Sequence, residues 1–139
     1  MIAGLIAVSA LASTILACES SNEPSETGPE LEVVASPTEA RLQKDSIVVA
    51  ITLRNNQNRK FEVWGFHSAV HSLETDTVIY RRLAITRGIE VAAWDSLHRD
   101  TSEILSDIFT EVGEYYYELL ITSAENDSVV GGDTVTIVQ

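Results

Sequence analysis

From residue 46 to residue 139, apolar side chains recur at a period of two more consistently than at the helical 3.6. The run SIVVAITLRNN (46–56) is rich in β-branched residues and closes on the turn formers Asn55 and Asn56. KFEVWGF (60–66), TVIYRRLAI (77–85), IEVAAW (89–94), YYYELLIT (115–122) and DTVTIVQ (133–139) share that character, and LEVVA (31–35) opens the series. Branched and aromatic side chains suit a pleated, half-buried surface, and their alternation turns one face of each run toward a core. Turn residues separate the runs: NNQNR, Arg87-Gly88, EVGE at 111–114, ENDS and VGGD. About seven short strands at this spacing predict an all-β chain folded as one antiparallel sandwich. Segment 96–109, SLHRDTSEILSDIF, admits two readings. Leu97, Ile104, Leu105 and Ile108 are spaced for one helical face, but a loop followed by a strand is the preferred expectation.

The beginning of the chain follows a different pattern. Residues 2–17, IAGLIAVSALASTILA, carry no charge and run directly into Cys18, the only cysteine. That run is shorter than the roughly 20 apolar residues of a membrane span and long enough for the hydrophobic part of a secretion signal. A lone thiol reads as a core residue, a nucleophile or a covalent attachment point. Ile15-Leu16-Ala17 immediately before Cys18 resemble the lipobox of bacterial lipoproteins. The resemblance implies a signal peptide over 1–17, cleavage before Cys18 and a diacylglyceryl group on its sulfur, with the lipid bilayer as a partner. Leu16 stands where Ala, Ser or Thr is commoner, and no Lys or Arg precedes the apolar run. An uncleaved anchor helix and a cut after Ala10-Leu11-Ala12 are the alternative readings. The implied location is the bacterial cell envelope, and Glu19 after the cysteine points toward the outer membrane.

Next comes ESSNEPSETGPE (19–30), with four glutamates, two prolines and no large apolar residue. Such a composition buries too little surface to offset its ordering entropy, so 18–30 is expected to be a lipidated residue and a flexible leash. Its 12 residues reach about 20 Å as a coil and about 40 Å when extended. The expected domain, 31–139, is long enough to bury about two-thirds of its unfolded surface in one core. The whole chain has 21 acidic and 9 basic residues; without the four leash glutamates the balance is 17 against 9, or −8. That sign argues against nucleic acid, whose binding is dominated by phosphate neutralisation.

The segment EVGEYYYELL resembles the entry to the sixth strand of immunoglobulin-like domains, where a Gly-x-Tyr supplies the tyrosine corner. Gly113 and Tyr115 match that motif. The resemblance implies that Ile51, Trp64 and Tyr117 form an apolar pin at the positions of the two cysteines and core tryptophan of antibody domains. A second resemblance is to BsuPI-type proteinase-inhibitor domains, in a strand ending in Asn (ITLRNN), a middle TVIYR strand and a late G-x-Y. The glycine usual before the middle strand of that family is missing, since Asp76-Thr77 stand there. Stoichiometric protease inhibition is therefore the alternative function.

Catalytic signals are thin. His67 and His71 share one face of either a helix or a strand, but zinc needs further ligands such as Glu74, Asp76 or His98. No H-E-x-x-H frames them, because Ser68 occupies the glutamate position, and exposed loop histidines are the expected reading. Ser68 and Ser72 lie near His71 and Asp76 without a G-x-S-x-G. The acidic string Asp100, Glu103, Asp107 and Glu111 lacks a calcium-loop pattern and reads as a solvated face. The expectation is a non-catalytic binding or structural module with no cofactor and an unidentified protein partner; a metal-dependent enzyme ranks third. If Trp64 and Tyr117 point inward, alternation turns Phe61, Val63, Tyr116 and Leu120 outward, together with Thr136 and Val138. These residues are the candidate binding face if exposed; the alternative expectation is that segment 67–100 folds back and covers them.

Overall fold

Among the described residues, the alternating runs become eight strands in two sheets. The computed structural model describes residues 25–101 and 105–139, so the expected signal peptide (1–17) and Cys18 lie outside the described residues. In chain order the strands are β1 (Gly28–Ser36), β2 (Glu39–Arg41), β3 (Val48–Asn56), β4 (Phe61–Ser72), β5 (Thr77–Val91), β6 (Ser96–Thr101), β7 (Gly113–Ser123) and β8 (Ser128–Val138). One sheet has the order β1-β3-β6 and the other β2-β8-β7-β4-β5. Every pairing is antiparallel except the short one between β2 and β8. Pro37, which has no N–H, ends the β1–β3 ladder; the chain then crosses to the other sheet, where Glu39 pairs with Thr136. A first segment shared between sheets, and β4, β7 and β8 side by side, make an immunoglobulin-like β-sandwich.

Several boundaries differ from the sequence expectation. Gly28, Pro29 and Glu30 pair with Asn56, Asn55 and Arg54, so the folded domain starts three residues earlier than residue 31. The parallel strand β2 was not expected, because three residues are too few to show a period. Segments 77–85 and 89–94 merge into β5, whose Gly88 has φ +86 and lets the strand bend instead of turning back. Segment 96–109 is a strand first, β6, and then a 3-10 turn at Leu105–Ile108, the reverse of the expected order. His67 and His71 lie on β4 rather than in a loop.

The core is built from the inward phase of both sheets: Val33, Ile51 and Leu53 against Val63, Val70, Tyr117, Leu119 and Ile121. Burying each side chain of this size contributes about 1.5–3 kcal/mol. The sandwich is closed along β1 and β8. There the Ala35 amide donates to Asp133 Oδ2 at 2.9 Å across the sheets. Gly131 and Gly132, expected as a turn, lie inside β8. A Cβ on Gly131 would stand 2.6 Å from the Leu31 carbonyl oxygen, so only glycine admits β1 this close. The Tyr116 ring lies across Gly132 on the opposite face.

At the other end of β7, Tyr115 is buried and its hydroxyl donates to the Glu111 carbonyl at 2.9 Å. This is the tyrosine corner expected from the Gly-x-Tyr motif. Phe109 packs on the same ring at 4.7 Å between centroids. Burial, followed by the nearby Glu111 and Glu74 carboxylates, raises the Tyr115 pKa above its ordinary 10.

Candidate functional site

Position along β4 decides which side chains the five-stranded sheet presents. Val63 and Gly65 are two residues apart on β4, but their β7 partners Ser123 and Thr122 are adjacent. Trp64 is the extra residue of a β-bulge, and an extra residue reverses the phase of everything after it. Before the bulge, odd positions point inward: Phe61 is 3% and Val63 0% exposed. Beyond it, even positions do so, with Phe66, Ser68 and Val70 facing the core and His67 exposed. Trp64 itself is 48% exposed. The expected inward pin therefore keeps Ile51 and Tyr117 but loses Trp64.

The candidate face is corrected in the same way. Phe61 and Val63 belong to the core, because strict alternation was counted across a bulge. Tyr116, Leu120, Thr136 and Val138 do lie on the outward phase of β7 and β8, each half-buried. What shares the outer face with them comes from β5. Leu83, His67, Leu120 and Val130 form one row across four strands, joined by direct register pairs. Leu83 and Val130 are each 56% exposed. Ile85, at 67%, stands opposite Gly65, which has no side chain to cover it. Solvent-facing positions of an antiparallel sheet are normally polar, and contiguous exposed apolar side chains mark a contact surface. The β5 contribution escaped sequence reasoning, since the runs TVIYRRLAI and IEVAAW read as two separate strands.

Among the described residues, the histidines singled out by the sequence are spread over both sheets. His67 and His71 are separated by about 13 Å of strand, too far for both to bind one ion. His71 Nε2 stands 3.9 Å from Glu118 Oε1, and its ring tilts against Tyr116. His98 is on the other sheet, where its Nδ1 meets Thr52 Oγ1 at 2.9 Å. Among the described residues, no three His, Cys, Asp or Glu side chains are grouped to hold a metal ion. Asp100 lies on β6 and Asp107 in the 3-10 turn; Glu103 lies outside the described residues.

The sheets part on the side of β5 and β6. A cleft of about 480 Å³ opens there between their inner faces, over a floor of Ile51, Phe66, Tyr117 and Leu119. Arg82 and Thr86 border it from β5, and Arg99 and Asp100 from β6.

No family model matches the chain, and no curated protein matches its sequence. Solved structures resemble its fold. Spo0M, a sporulation control protein of Bacillus subtilis, superposes with a TM-score of 0.58 at 7% identity over 81% of this chain and 50% of its own. The alkylpurine DNA glycosylase AlkC of Pseudomonas fluorescens, bound to DNA containing an abasic site analog, gives 0.58 at 12% identity, over 80% of this chain and 30% of that one. The C-terminal domain of wzt gives 0.58 at 10% identity, over 81% and 74%. The chain thus spans half of Spo0M and under a third of the glycosylase. At these identities the likeness concerns the sandwich alone.

Proposed function

We propose that the chain is a lipoprotein of the bacterial cell envelope, tethered through Cys18, whose immunoglobulin-like domain is a non-catalytic module that binds a protein partner. The observation that carries the binding half is the outer face of the five-stranded sheet. Leu83, Ile85 and Val130 are more than half exposed there, with Leu120 continuing the surface between them. Ile15-Leu16-Ala17-Cys18 and the acidic leash support the anchoring half. Nine residues separate Cys18 from Gly28, where β1 begins, and such a tether keeps the domain within about 30 Å of the bilayer, close enough to meet partners at the membrane.

One experiment addresses both halves. A photo-crosslinking residue is placed at position 83 on the candidate face, or at position 32 on the outer face of the other sheet, in cells carrying the wild-type chain or Cys18→Ser. Crosslinks to a discrete partner from position 83 alone, lost with Cys18→Ser, are expected. Intact mass of the mature wild-type protein should exceed that of a polypeptide beginning at Cys18 by two or more acyl chains, since one alone anchors only marginally. An unmodified mass refutes the anchor, and equal crosslinking from both positions refutes the face.

A further inference from the structure

The cleft between β5 and β6 differs from the outer face in both lining and charge. Its floor is apolar, and at about 480 Å³ it has the size of a small-molecule site. Ile51 is 1% exposed on the inner face of β3, and Arg99 is its direct partner on β6. Directly opposed residues of an antiparallel pair share a face, so the Arg99 side chain starts from the inside of the sandwich. Ser68 is likewise buried, and its β5 partner Arg82 starts from the inside of the facing sheet. An arginine on each inner face is unusual, because inward positions of a sandwich are normally apolar.

Some of the domain's cations are paired and others, Lys44 and Arg81 among the described residues, are not. Arg41, Arg54, Arg59 and Lys60 each meet a carboxylate within 3.3 Å. Arg82 has an interaction partner. Arg99, which is exposed, has no carboxylate partner among the described residues. Asp100 also lines the cleft, but from the outward phase of β6, where His98 Nε2 stands 3.5 Å from its Oδ1. The Arg99 guanidinium fork beside an apolar floor is complementary to a planar anion attached to an apolar body.

We infer that this cleft binds a small monoanionic carboxylate with an apolar body. Its carboxylate is received by the Arg99 fork and its body lies on Phe66, Leu119 and Ile51. A single fork receives a single carboxylate, which sets the charge of the ligand. The site lies inside the sandwich edge and is independent of both the tether and the outer face.

The test uses 4-phenylbutyrate as probe, with 4-phenylbutanol and 4-phenylbutylamine as neutral and cationic counterparts, titrated calorimetrically into the full chain. The acid is expected to bind at least about tenfold tighter than the alcohol, as one charge-assisted hydrogen bond supplies. The amine should not bind. Arg99→Gln should erase the preference for acid over alcohol. Arg81→Gln, on the outer face of β5, should preserve it. Ala84→Leu, which fills the cleft without altering charge, should weaken acid and alcohol alike, and keeps the test open if Arg99→Gln does not fold. The inference is overturned if the acid fails to saturate, if acid and alcohol bind equally, if Arg81→Gln acts like Arg99→Gln, or if Ala84→Leu changes nothing.

Discussion

Asn55 joins the two sheets at one end of the sandwich, and replacing it with the isosteric Asp separates hydrogen bonding from packing. The residue is fully buried at the end of β3. Its Nδ2 donates to the carbonyls of Arg59 at 2.7 Å, Val91 at 3.1 Å and Ala92 at 3.0 Å, so two amide hydrogens serve three acceptors. Its own main-chain amide donates to the Asp95 carbonyl at 2.8 Å. Asn55→Asp keeps the shape and replaces the donor by an oxygen facing three others. Losing these bonds costs about 1 kcal/mol each, and carbonyls left dry cost more, so about 3–5 kcal/mol is expected. That is a large fraction of the roughly 5–15 kcal/mol that holds a typical domain folded.

The Asp variant should also acquire a pH dependence that Asn55→Leu lacks. Burial among carbonyl oxygens raises the folded pKa of the new carboxyl above its unfolded value near 3.9. A raised folded pKa means that its stability contribution is complete below about pH 4 and is lost as pH rises through the folded value. Urea melts of wild type, Asn55→Asp and Asn55→Leu between pH 4 and 7.5 measure this directly. The difference between the Asp and Leu midpoints should widen with pH, by at most about 1.4 kcal/mol per pH unit. If Asp costs no more than Leu and their profiles run parallel, the amide does not donate to those carbonyls.

Two further outcomes follow from single contacts. Tyr115→Phe removes the hydroxyl bound to the Glu111 carbonyl and should cost about 1–3 kcal/mol in denaturant melts, whereas Tyr116→Phe should cost little. Because the folded Tyr115 pKa is raised, its stability contribution is complete below about pH 10 and is lost as pH rises through the folded value; Tyr115→Phe should therefore flatten part of the alkaline loss. Gly131→Ala must displace the Leu31 carbonyl and should destabilise by about 1–3 kcal/mol; a stabilised variant, as entropy alone would produce, would contradict the close approach of β1.

What the chain's own pattern determined is local. A period of two over 46–56 and 115–122 is enough for β3 and β7, because each such run satisfies a half-buried strand whatever its neighbours. Along β7, which has no bulge, the inward phase follows from alternation alone: Tyr115, Tyr117, Leu119 and Ile121 are all buried. The corner at Tyr115 was legible for the same reason, since donor and acceptor lie four residues apart on one turn. Tertiary structure decided whatever depends on pairing. Trp64 is outward only because β4 and β7 pair with one residue to spare, an event with no signature in β4 itself. Gly131-Gly132 reads as a turn until β1 and the Tyr116 ring are placed against its two faces. Merging two runs into β5, with Leu83 and Ile85 on its outer face, required β4 as a continuous template. Arg99 is an ordinary surface arginine in the sequence; its partnership with buried Ile51 turns it toward the space between the sheets. Local periodicity reports which bonds a strand is able to make, and only the partner strands settle which face each side chain occupies.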